Sequence, residues 1–283
     1  MRRIILSTES GADLPKDLVE KYQIQVVPMH VVMEGKDYLD GELPVEEVFN
    51  YHSRTKKIPS TTATNVHEYQ NLFTKIRADF PDSIIIHIGY TSKASASFQS
   101  ALIAAEEFED LYLVDALNVT GGLGAVVLYA ATLLEENPSI SHVQLIDKIN
   151  SVVPKAKLAF IPGSLDFLRA GGRVSNIAYI GGALLKIKPC IELKEGKLVS
   201  TRKYRGHMSS VAEKLMHDYL NEYDINRNQL YLIYSIGLDE DIKKRMDEVA
   251  KEAGFEQVRW LQAGAMISTH AGPGGFGIAG IEY

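Results

Sequence analysis

Apolar positions in the first part of the chain switch between two periods. Short β-rich runs at Arg3–Ser7, Ser83–Ile88 and Leu111–Val114 alternate with stretches whose apolar residues recur every three or four positions. The runs predict strands. A helix is predicted over Leu14–Tyr22, opened by Asp13 and Pro15, and two more over Pro44–Thr55 and Val66–Phe80, the last capped by Asn65 and carrying Tyr69, Phe73 and Ile76 on one face. Gln25–Val32 reads as one apolar run interrupted by Pro28. Ser83–Ile88 and Leu111–Val114 are nearly continuous in β-formers, the pattern of strands covered on both faces, and a small-residue turn and a helix follow each. That is a parallel βα layout. In such sheets a ligand crevice lies at the carboxyl ends of the strands, where the Ser95 turn and Asp115 fall.

The pattern changes near Pro154. Strands are predicted at Lys157–Ile161, Lys188–Leu193, Leu198–Tyr204, Leu230–Ser235, Gln257–Gln262 and Gly277–Tyr283, with helices at Ser209–Asn221 and Glu240–Ala253. Glu195-Gly196-Lys197 marks a hairpin between two of these strands. The expected fold class is α/β, with residues 1–153 as a parallel βα domain and residues 154–283 as an α+β domain. No repeat of 20–50 residues and no low-complexity segment interrupts that division.

Composition removes several function classes. A chain of 283 residues, 46% hydrophobic and 23% charged, is long enough for two ordinary cores. Its net charge of −6 argues against binding nucleic acid, which favours a basic surface. The single cysteine, Cys190, allows no internal disulfide. His67-Glu68 has Asn71 where a zinc motif needs a second histidine, so no metal is expected. Ile4-Ile5-Leu6 is too short for a signal core, and Gly121–Leu134 too short to span a bilayer, so the expected location is cytoplasmic. Glycosylation requires secretion, so the sequon Asn118-Val119-Thr120 is read as chance.

Three segments carry candidate chemistry. Thr91-Ser92-Lys93-Ala94-Ser95-Ala96-Ser97 lies between a buried-type strand and a helix beginning near Ser97, where free amides favour an anion; its four hydroxyls exceed what capping needs. Ser60-Thr61-Thr62 reads as a second hydroxyl turn, or as backbone capping ahead of the Asn65 helix. Ser268–Gly277 sets His270 beside Gly272-Pro273-Gly274-Gly275-Phe276-Gly277. That turn formally matches G-x-G-x-x-G, but neither the helix nor the later acidic residue of a dinucleotide site follows. His270 is therefore expected to serve a site built elsewhere, and a loop histidine among glycines is poorly explained by packing. No G-x-S-x-G elbow or phosphate-binding G-x-x-x-x-G-K-[ST] loop is present.

Taken in order, Thr8-Glu9-Ser10-Gly11-Ala12-Asp13-Leu14-Pro15, Pro59–Thr64, Ser92–Ala101, Val114-Asp115, Leu165–Ser175, Leu184–Ile191, Lys203-Tyr204-Arg205 and His270–Gly274 resemble the DegV family, the fatty-acid-binding subunits of bacterial fatty acid kinase. The resemblance covers essentially the whole chain. It implies two α/β domains clasping a long acyl chain, and a separate ATP-binding kinase that phosphorylates the carboxylate; it also admits transient membrane contact. No cofactor is implied beyond the fatty acid as ligand. Carried over by position, Thr61, Thr62, Ser95, Ser97, His270 and Gly272 bind the ligand head, while Arg173 and Arg205 face the kinase and stay clear of the acyl chain. His270 then orients or polarises the carboxylate. Glu9, Thr62, Thr64, Ala96 and Ala116 depart from the family pattern of Asp, Ser, Pro, Gly and Ser, which bears on acyl preference more than on binding. Two further readings stay open: a lipid carrier or sensor without a kinase, and a stand-alone acyl-transfer enzyme pairing a serine with His270.

Overall fold

The computed structural model describes residues 2–174 and 187–283. Ser175 and residues 184–186 of the motifs above lie outside the described residues. The first sheet is built from β1 (Ile4–Glu9), β2 (Gln25–Val27), β6 (Ile84–Gly89) and β7 (Leu111–Asp115), in the order β2-β1-β6-β7 and parallel throughout. All six residues of β6 are buried, with Ile84, Ile86 and Ile88 facing the central core and Ile85 facing the layer formed by α3 (Val66–Asp79) and α4 (Ser97–Ala105). Two covered faces explain its unbroken apolar run. The same expectation fails for β7, an edge strand whose residues are mostly half-buried.

The apolar run around Pro28 divides. Val27 ends β2, and His30–Met33 forms β3, which pairs antiparallel with β4 (Lys36–Leu39) and β5 (Ser60–Thr62) in a separate small sheet. Proline has no N–H for a ladder, so the chain leaves one sheet at that residue and enters another. Ser60-Thr61-Thr62 is thus a strand rather than a turn. Asn65 caps α3 as expected, and Glu68 completes a capping box with it. Asp13 does not cap α1 (Lys16–Tyr22), whose N-cap is Pro15; its carboxylate is engaged elsewhere.

The second sheet contains β8 (Ala156–Ile161), β9 (Ile187–Lys194), β10 (Lys197–Arg205), β11 (Gln229–Tyr234), β12 (Gln257–Gln262) and β13 (Phe276–Ile281), ordered β10-β9-β8-β13-β11-β12. Glu195 and Gly196 turn β9 into β10 with φ of 50° and 78°, the left-handed pair that a two-residue hairpin requires. One face of this sheet is covered by α8 (Met208–Glu222) and α9 (Glu240–Glu252). The other meets α5 (Thr120–Glu136), which also packs on β1 and β6, so one buried helix seals both sheets together. Its small residues permit close approach: a Cβ at Gly121 would lie 2.6 Å from Ile233 Cδ1. α6 (His142–Val152) lies outside α5 and leads into β8.

Two short helices from the second half pack back on the first. α7 (Leu165–Gly171) and α10 (Ala265–Ala271) touch each other and β5, and α10 also meets α2 (Val45–Thr55) and β3. His270 is therefore helical, where a loop was expected. The pattern hid this because α10 has seven residues, too few for a period to register.

Candidate functional site

A cavity of about 500 Å³ lies between the carboxyl ends of the parallel strands and the second sheet, within the usual range for small-molecule sites. Its wall is mainly apolar, including Met29, Val119, Phe160, Leu168, Ile233 and Met266. Polar groups on the wall include Thr61 and Thr62 from β5, Ser92, Lys93 and Ser95 from the turn after β6, Thr120 from α5, Ser235 after β11, Arg173 after α7 and His270 from α10.

Side-chain hydrogen bonds tie β5 to the turn after β6. Thr64 N–H donates to Ser97 Oγ at 3.2 Å, and Ser97 Oγ lies 2.9 Å from Ser95 Oγ, joining the end of β5 to the Ser95 turn. Ser97 itself is fully buried and stands behind Ser95, holding it in place without lining the cavity. Asp115, at the end of β7, accepts from the N–H groups of Ser92 and Leu117 and so shapes the turn from below.

His270 Nε2 lies 2.9 Å from Thr61 Oγ1, while Nδ1 is buried without a hydrogen-bond partner among the described residues. Burial, reinforced by the charge of Arg173, pushes the imidazole down to about 4, so the ring is neutral at physiological pH. A buried N–H without an acceptor costs more than a lone pair without a donor, which assigns the single proton to Nε2. Nε2–H then donates to Thr61 Oγ1. The Thr61 hydroxyl proton is left free to donate into the cavity, an arrangement suited to a carboxylate or carbonyl oxygen.

The remaining sequence candidates sit differently. Gly272 does not line the cavity; its carbonyl accepts from Ser235 Oγ at 2.5 Å, and its φ of 70° shapes the turn after α10. Gly275 and Gly277 line the wall in its place. Arg205 is exposed at the end of β10, apart from the cavity. Arg173 was expected beside a partner and clear of the acyl chain, yet it lines the cavity while remaining exposed. The reason is α7: its carboxyl end packs against α10, so close that a Cβ at Gly171 would lie 2.2 Å from His270 Nδ1. Arg173 follows two residues later.

Two acids have buried roles that the sequence did not reveal. Glu9 accepts from Tyr69 OH at 2.5 Å and from Tyr90 N–H at 2.8 Å, with His87 Nε2 at 3.3 Å. Burial raises this carboxyl, but the His87 charge and the hydrogen bonds outweigh it and leave Glu9 below the ordinary range. Ser7 Oγ, 3.0 Å from His87 Nδ1, completes a serine, histidine and carboxylate row. All three are fully buried, so the row stiffens the sheet beneath Tyr90 and is out of reach of substrate. Asp13 accepts from Gly264 N–H at 2.8 Å and is hydrogen-bonded to Thr120 at 2.5 Å. Burial is the main reason that its carboxyl rises to about 8; Asp40 adds to the rise while Thr120 and Gly264 oppose it. A single acidic letter before Leu-Pro gave no sign of a partner some 250 residues away.

Among the described residues no three His, Cys, Asp or Glu side chains are grouped to hold a metal ion, and no helix is long and apolar enough to cross a membrane.

Comparison with known proteins adds to this geometry. The family model described as "Uncharacterised protein, DegV family" matches residues 3–282. A DegV domain-containing protein of Caldanaerobacter subterraneus subsp. tengcongensis is 31% identical, with 98% of each chain covered. A fatty acid-binding protein of Thermotoga maritima is 28% identical, with 99% of each covered. Among solved structures, a fatty-acid-binding DegV family protein from Thermus thermophilus superposes with a TM-score of 0.88 at 27% identity, over 99% of this chain and 100% of that one.

Proposed function

The chain belongs to the DegV family, and from that premise we propose that it binds a long-chain fatty acid and presents its carboxylate to a separate ATP-dependent kinase for acyl phosphate formation. The observation that carries this reading is the pairing of an apolar cavity of about 500 Å³ with the Thr61 hydroxyl that His270 frees to donate. Each methylene buried in the cavity contributes about 0.8 kcal/mol, so the tail dominates affinity and the head sets position. Thr61, Thr62 and Ser95 hold the carboxylate in this reading, and His270 acts through Thr61. Residues 1–153 supply the hydroxyl groups and residues 154–283 close over the tail. The exposed Arg205 meets an acidic surface of the kinase. Arg173 lies at the cavity itself and serves the head group as well as the partner.

Purified recombinant protein is expected to carry about one fatty acid per chain, identified by mass spectrometry after extraction, and to melt higher when palmitate is added. A lipid-free preparation whose melting ignores palmitate refutes the binding. Acyl phosphate made only when a kinase is added supports presentation. Lipid retention without such transfer indicates a carrier, and ester turnover by the protein alone indicates an acyl-transfer enzyme.

A further inference from the structure

α10 belongs to the second half of the chain but is gripped at both ends by the first. At its carboxyl end His270 meets Thr61; at its amino end Asp13 Oδ1 accepts from Gly264 N–H at 2.8 Å and Asp40 Oδ1 from Met266 N–H at 3.1 Å. Both carboxyl groups are buried, with 7% and 5% of their residues exposed. They stand so close to Gly264 that an added Cβ would lie 3.2 Å from Asp13 Oδ1 and 3.0 Å from Asp40 Oδ1. Burying two acids against amides is costly, and an apolar contact would hold a helix end more cheaply. What a carboxyl adds is direction.

We propose that Asp13 is a positioning residue for His270, fixing the amino end of α10 so that the imidazole reaches Thr61. Gly264 and His270 are six residues apart, about 9 Å along a helix axis. A helix this short moves as one body, and a shift at Gly264 therefore appears at the ring. Thr120 steadies Asp13 from α5, so the placement of His270 depends on three distant segments. Met266 and Ile267, on the same helix, carry the cavity wall along with it. The consequence for ligand affinity rests on the fatty-acid reading above; the placement of His270 does not.

Two measurements on wild type, Asp13→Asn and Asp13→Ala decide the matter. Long-range ¹H–¹⁵N spectra of the ligand-free imidazole should show one Nε2-protonated tautomer in wild type and in Asp13→Asn, which keeps the acceptor. Asp13→Ala should show averaged tautomers. Palmitate affinity should fall about tenfold in Asp13→Ala, stay within about twofold in Asp13→Asn, and show no further loss from Asp13→Ala in a His270→Gln background. If Asp13→Ala does not fold, Asp13→Ser, whose hydroxyl is too short to reach Gly264, carries the same comparison. An unchanged spectrum, or an equal loss of affinity in the His270→Gln background, overturns the proposal. If no variant, wild type included, binds palmitate, the fatty-acid reading falls and the spectra still decide the placement.

Discussion

Asp13→Asn should stabilise the protein by an amount that grows with pH. An unfolded aspartate titrates near 3.8, whereas Asp13 in the fold titrates near about 8. Over that interval the folded chain keeps a proton that the unfolded chain has released. Wild-type stability attributable to this group is therefore full below about pH 4 and is lost as pH rises toward 8, at a limit of about 1.4 kcal/mol per pH unit. An amide cannot titrate, and it preserves the acceptor for Gly264 N–H. Allowing for relaxation around the buried charge, the stability difference should widen by about 1 kcal/mol per pH unit, or about 2 kcal/mol between pH 5 and 7, and level off above pH 8. Ionisable groups distant from Asp13 contribute equally in both proteins and cancel in the difference. Urea unfolding of both proteins by circular dichroism at half-unit steps from pH 5 to 9 measures it. A difference that stays constant across this range means that Asp13 titrates as an ordinary carboxylate, and the argument from burial is wrong.

Gly171→Ala should lower the melting temperature and weaken palmitate binding together, because the new methyl would sit 2.2 Å from His270 Nδ1 and displace the ring from Thr61; calorimetry and a fluorescent fatty-acid displacement assay check both, and an unchanged pair of values contradicts the packing. Arg173→Glu and Arg205→Glu should separate: the first, at the cavity, reduces lipid content on purification, while the second leaves lipid content intact and slows kinase-dependent acyl phosphate formation. Equal lipid loss in both would remove the distinction between them.

The chain's own pattern was enough for strands β1, β6 and β7 of the parallel sheet and for the hairpin at Glu195-Gly196. Those features are local: a buried strand must be apolar along its length, a helix start such as that of α3 needs a capping side chain such as Asn65, and a tight hairpin needs residues tolerant of positive φ. The hydroxyl residues Thr61, Thr62 and Ser95 and the histidine were legible for a related reason, since their types state their chemistry before folding places them. Their arrangement was not legible. That Thr61 meets His270 across 209 residues, that Ser97 stands behind Ser95, that Arg173 borders the cavity, and that Asp13 holds the far end of the helix carrying His270 all depend on α7 and α10 crossing back onto the first half. Residue type sets what a side chain can donate, accept or bury, and local spacing sets which element it rides on; only the packing of distant elements decides which partner it finds, because that choice is made by the shape and burial of the whole fold.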